Sequence, residues 1–135
     1  MFKLDGRWCA LSLDRVAGVD DPGEMRIVPG APRAVAGLTE WRGRVVTVLD
    51  LAILTGAPPF SGLRCLVALA PPLDGTAFLV PAPVALRSHD APHAASRNLS
   101  TPSLLDPIAL VSDVAAEVSR LARSAPGGRL PRRNI

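Results

Sequence analysis

The 135-residue sequence has no tyrosine, three phenylalanines, two tryptophans, two cysteines and two histidines. Each scarcity removes a class of function. So few aromatic rings leave no stacking platform for single-stranded nucleic acid, which needs successive exposed rings along a groove. Cys9 and Cys65 are too few and too far apart for a disulfide framework, and no Cys/His run has zinc spacing. A reducing, cytoplasmic setting is therefore expected. Long apolar runs are missing too: Val45 to Leu54 is interrupted by Asp50 and falls well short of the ~20 residues of a membrane helix. Met1 to Arg7 carries charges every few residues, where a signal peptide would have an apolar core. No membrane insertion or export is expected. There is no glycine-rich phosphate loop, no acidic cluster with a downstream lysine, no kinase motif and no nucleophile–base pair. The expectation is a protein that is not an enzyme and uses no cofactor or metal. His89 and His93, with Asp90 between them, stand at i, i+4 spacing, but a third ligand at compatible spacing is missing and solvated loop residues are the simpler reading.

What is present fits one compact domain, or two very small barrels sharing a core. The net charge of +3 is unevenly placed. Residues 1–119 hold 10 Lys/Arg against 12 Asp/Glu, whereas the chain from Arg120 onward carries five arginines and no acid. A basic end of this kind suits nucleic acid or an acidic surface, yet short charged ends are usually only solvated. A domain over residues 1–124 and a basic, flexible tail over 125–135 are expected, with the two sub-barrels divided near 57–63.

Short apolar runs cut by Pro, Gly and Asp dominate, the pattern of many short strands. Trp8 to Leu13 and Val16 to Val19 read as an opening hairpin around Asp14-Arg15, and residues 20–33, rich in turn residues, as a loop or a poorly paired edge. Arg44 to Asp50 is the strongest strand, β-branched and apolar enough for burial on both faces. Asp50 then caps a short helix over Leu51 to Leu54, stopped by Thr55-Gly56. Arg64 to Leu69, Thr76 to Val80 and Val84 to Arg87 read as strands of a second barrel half. A turn-rich loop spans 88–103, and Leu104 to Val111 reads as a strand interrupted by Asp106-Pro107. Ser112 or Asp113 is expected to cap a closing helix with Val114, Val118 and Leu121 on one stripe.

One stretch is more specific than this patterning. Val28-Pro29-Gly30-Ala31-Pro32, then Val35-Ala36-Gly37-Leu38-Thr39-Glu40-Trp41-Arg42-Gly43-Arg44-Val45-Val46-Thr47-Val48-Leu49-Asp50-Leu51, resembles the core motif of the CheW-like family. There a Pro-containing loop leads to an aliphatic-Gly step, an Arg-Gly pair and an aliphatic strand ending in Asp-Leu. The other elements follow the family's order over nearly the whole chain. The resemblance implies a mostly β fold of two SH3-like five-stranded β-barrels sharing one core, with a C-terminal helix. It also implies an adaptor in chemotaxis signal transduction, monomeric in isolation. Its partners would be the regulatory domain of a CheA-type histidine kinase and the signalling tip of methyl-accepting chemoreceptors.

By the same resemblance Leu13, Val16, Trp41, Arg42 and Gly43 are the candidate partner-binding residues. Arg42 matches the family's Arg-Gly arginine, whose guanidinium can fork to carboxylates or carbonyls; an internal salt bridge to Glu40 or Asp50 is the competing reading. Val16 and Leu13 match hairpin positions lining a receptor-binding groove, against ordinary core packing. Trp41 stands where an aliphatic residue is more common, as core filler or interface anchor. Gly18 stands where an acid able to pair with that arginine is frequent. Two other readings remain open: a single-faced regulatory module that binds kinase or receptor without coupling them, and a small nucleic-acid-binding barrel using the tail.

Overall fold

The computed structural model describes residues 1–58, 60–85 and 103–124, the side chains of 121–124 excepted. Eight strands and two α-helices are formed within these residues: β1 (Phe2–Leu4), β2 (Arg7–Ala10), β3 (Val16–Asp20), β4 (Val35–Trp41), β5 (Arg44–Asp50), α1 (Leu51–Leu54), β6 (Arg64–Leu69), β7 (Thr76–Pro81), β8 (Ser103–Leu104) and α2 (Pro107–Ser124). A 3-10 turn, Leu13–Arg15, precedes β3. The mostly β fold with a C-terminal helix is as expected.

The strands form two sheets, ordered β3-β6-β7-β5-β4 and β1-β2-β8. In the larger, β6 and β7 sit between β3 and β5, and β5 runs parallel to β7 with Leu49 opposite Phe78. Alternation along the strands gives this sheet two apolar faces. Val46, Val48, Leu66, Ala68, Ala77 and Leu79 line one, covered by Met25, Ala36 and Trp41. Leu49, Val67, Leu69, Phe78 and Val80 line the other and pack against Phe2, Leu4 and Cys9 of the small sheet, against α1 and against Val114. Burial on both faces is thus real for β6 and β7. β5 departs from it at its start, where Val45 is 68% exposed.

The chain that follows β3, one edge of the larger sheet, bridges to β4, the other edge. After β3 the chain doubles along β4, and Arg26 exchanges two backbone hydrogen bonds of 2.8 Å with Leu38. A β-carbon on Gly37 would lie 2.6 Å from the Arg26 carbonyl oxygen, so only glycine allows the approach. The hydroxyl of Thr39, buried beside this seam, donates to the Glu24 carbonyl at 2.7 Å. A sheet curled until its edges meet leaves no strand edge open at that place.

Five sequence expectations need correction. Trp8 to Leu13 and Val16 to Val19 do not pair: β2 pairs with β1 and β8, and β3 pairs with β6. The opening hairpin is instead β1–β2, whose turn residues Asp5 and Gly6 have φ of 49° and 80°, as a two-residue type I′ turn requires. Of Leu104 to Val111 only Leu104, the end of β8, is in a strand. Asp106 accepts from the amides of Ile108 (3.1 Å) and Ala109 (3.5 Å), so Asp-Pro is a helix N-cap followed by Pro at the first helical position. Ser112 and Asp113 therefore lie inside α2 and cap nothing. The buried stripe of α2 runs through Pro107, Leu110, Val111 and Val114, and Val118 is 45% exposed. Val84 and Ala85 lie outside any strand, although Ala85 and Met1 exchange backbone hydrogen bonds. The loop expected over 88–103, apart from Ser103 in β8, lies outside the described residues, as do His89, His93 and the basic tail.

Phe78 is fully buried, so Phe78→Ala is expected to cost about 3–5 kcal/mol of unfolding free energy in urea titrations. Val118→Ala is expected to change it by less than about 0.5 kcal/mol. A large effect at Val118 would restore the stripe read from sequence.

Candidate functional site

The β4–β5 hairpin turns in two residues, Arg42 and Gly43, and such a turn needs positive φ at both. Gly43 supplies it without strain at 79°, but Arg42 adopts 50°, which costs an ordinary side chain about 1–2 kcal/mol. Two contacts hold it there. The Arg42 guanidinium carbon lies 4.4 Å from the centroid of the Trp41 ring, a cation–π stack worth about 0.5–1 kcal/mol at an exposed site. The ring is itself anchored, for Trp41 Nε1 donates to Asp20 Oδ2 at 3.2 Å.

Gly18 makes room for this stack. A β-carbon there would lie 2.7 Å from Trp41 Cζ2 and 3.2 Å from Arg42 Nη2. Trp41 thus crosses the seam from β4 to β3, filling the space that a side chain at position 18 would occupy. It covers the core while remaining partly exposed. In the sequence Gly18 stands out only as a missing acid. Asp20 carries no local sequence signal, since its partner is 21 residues away.

Neither internal partner proposed for Arg42 engages it. Among the described residues the one ion pair is Arg44 Nη2 to Asp74 Oδ2 at 3.1 Å. Asp50 spends its Oδ1 on the amides of Ala52 (3.0 Å) and Ile53 (3.4 Å) at the start of α1. Glu40 lies on the opposite pleat from Trp41. The hydrogen bond from Arg44 holds the Asp74 carboxyl below its ordinary pKa. Arg44 is therefore engaged at the side of the hairpin, while Arg42 is exposed at its tip.

Leu13 and Val16 lie elsewhere. The Ser12 hydroxyl donates to the Asp14 carboxylate and Arg15 N donates to Ser12 O at 2.9 Å, closing the 3-10 turn. The Ser12 bond also lowers the pKa of Asp14. This turn leaves Leu13 62% exposed, so core packing does not describe it. Val16 does pack against the core, half-buried opposite Leu69. Between Val16 and Gly18 the register of β3 shifts by a bulge, pairing Val16 with Leu69 and Gly18 with Ala68. Those partners face opposite ways, so β3 directs Val16 to one side of the sheet and Gly18, with its Trp41–Arg42 stack, to the other. The five candidate residues form two groups, not one.

No group of three or more His, Cys, Asp or Glu that could hold a metal occurs among the described residues, and no helix among them is long and apolar enough to cross a membrane. A cleft of about 340 Å³ lies between the β1–β2 hairpin, the end of α1 and β8. Burial raises the pKa of the Cys9 thiol lining it, despite the opposing charge of Arg7.

These features define a class: a small, mostly β domain with a docked C-terminal helix and an exposed arginine on a stacked hairpin tip. The model of the CheW-like domain matches residues 1–70, and the chain belongs to the CheW-like family. Among solved structures it is similar to the scaffolding protein TtCheW from Thermoanaerobacter tengcongensis, with a TM-score of 0.55 and 19% identity. That match covers 60% of this chain and 57% of the other, little more than half of each. No curated protein matches.

Gly18→Ala is expected to cost about 1–3 kcal/mol by overpacking against Trp41. In a Trp41→Val background the same change is expected to cost less than about 0.5 kcal/mol, a coupling that a double-mutant cycle of denaturation free energies measures.

Proposed function

We propose that this CheW-like chain is a non-catalytic adaptor of chemotaxis signal transduction, coupling methyl-accepting chemoreceptors to a CheA-type histidine kinase. It acts in the cytoplasm and is monomeric in isolation. Family membership supplies the class, and one observation carries the coupling role. The bulge in β3 turns Val16 to one side of the strand and Gly18, over which Trp41 and Arg42 lie, to the other, an arrangement that lets two partners be engaged at once. Leu13 and Val16 form the first contact, an aliphatic step suited to a helical receptor tip. Trp41, Arg42 and Gly43 form the second, a stacked guanidinium suited to a polar surface.

Calorimetric titration against the regulatory domain of the chemotaxis kinase and, separately, against a receptor signalling-tip fragment tests the proposal. Binding to both is expected. Leu13→Glu should weaken receptor binding at least tenfold and leave kinase binding within about twofold, and Arg42→Asn should do the reverse. Asparagine tolerates positive φ, so Arg42→Asn is expected to leave stability within about 1 kcal/mol of the parent. Binding to a single fragment would make this a one-faced regulatory module. Binding to neither would contradict the coupling role.

A further inference from the structure

The guanidinium of Arg42 has a peculiar environment. It is exposed at the tip of a tight turn, stacked on a ring and without a carboxylate within ion-pair distance among the described residues, where Arg44 to Asp74 is the one pair. Three acids make their contacts elsewhere. Asp74 is taken by Arg44, Asp20 accepts from the Trp41 indole, and Asp50 caps α1. Position 18, whose β-carbon would stand 3.2 Å from Arg42 Nη2, has no side chain. Trp41 fills that volume, so no acid can be accommodated there while the ring remains.

We propose that Gly18 and Trp41 together determine specificity at this hairpin, keeping Arg42 free of internal partners so that it selects a carboxylate on an acidic peptide segment of a partner. The proposal rests on the reading of the hairpin tip as a docking contact. It adds the chemistry recognised there and the two residues that set it. Stacking on the indole fixes the plane of the guanidinium, leaving its outer edge to meet a carboxylate with two parallel hydrogen bonds. A ring held by Asp20 on one edge and seated on Gly18 cannot turn away, so little side-chain freedom remains to be lost on binding. Exchanging the aromatic residue for an aliphatic one and placing an acid at 18 would invert the arrangement, with the arginine paired within the molecule and closed to acidic partners.

The test is a ¹⁵N NMR titration of the full chain with a hexaglutamate peptide and, separately, with hexaglutamine. Side-chain resolution separates Arg42 from the arginines of the C-terminal tail, which also attract an acidic peptide. The Arg42 Nε–H, Gly43 amide and Trp41 indole signals are expected to shift with hexaglutamate and to stay within error with hexaglutamine. In Gly18→Asp/Trp41→Val the shifts at Arg42 and Gly43 should fall at least threefold, with a folded amide spectrum. Arg42→Asn, at an exposed position, should abolish the Gly43 response if the double variant fails to fold. Equal shifts with both peptides, no shift at Arg42, or an undiminished response in the double variant would overturn the proposal. The kinase and receptor titrations report separately on the adaptor role, so failure there with an intact Arg42 response leaves this assignment standing.

Discussion

Closure of the larger sheet between β3 and β4 is the constraint on which the rest of the structure depends, and it works through two missing β-carbons. Gly37 lets the Arg26 backbone reach β4, and Gly18 lets the Trp41 ring lie across β3. Met25 and Trp41 cover the inner apolar face only because the chain doubles back there. Without the seam, Val46, Val48, Leu66 and Leu79 would face water on one side of the sheet. At about 25 cal/mol per Å² of apolar surface such exposure would cost several kcal/mol. Weak individual contacts, a hydrogen bond from an indole and a cation–π stack, therefore sit at a place where much burial depends on them.

The same seam positions the candidate site. A two-residue hairpin forces Arg42 into a left-handed backbone, and the stack on Trp41 offsets much of that cost. Stability and presentation are thus joined in one element: the ring that closes the sheet is the platform that orients the arginine. The bulge in β3 adds the second feature, because a regular strand would have placed Val16 and Gly18 on one face. A bulge that redirects side chains beside a functional surface is a familiar use of that irregularity.

Local chemistry was legible in the sequence wherever it decided the outcome. β5, β6 and α1 have the expected limits, since β-branched runs and the Asp50 cap depend on neighbours a few residues away. Misreadings arose where one local signal had two meanings. Asp106-Pro107 breaks a strand but also begins a helix, and the second meaning prevailed because an 18-residue helix follows. Lys3 and Asp5 hid β1, a three-residue strand whose alternate positions, Phe2 and Leu4, are buried. Pairing of β3 with β6, Trp41 with Asp20 and Gly18 with Trp41 spans tens of residues, beyond the reach of periodicity. Arg42 and Gly43 were identified by family resemblance, whereas the reason for glycine at 18 and 37 emerged only from the folded contacts.

Hydrogen exchange in Trp41→Val tests the central role of the seam most directly. If the ring holds the two edges together, the Arg26 and Leu38 amides, each donating to the other residue's carbonyl across the seam, should exchange at least tenfold faster than in the parent protein. Amides of Val67 and Phe78 in the middle of the sheet should change little, because their ladder bonds are made by strands on both sides. Unchanged exchange at Arg26 and Leu38 would contradict this role and reduce Trp41 to a surface platform on a sheet that closes without it.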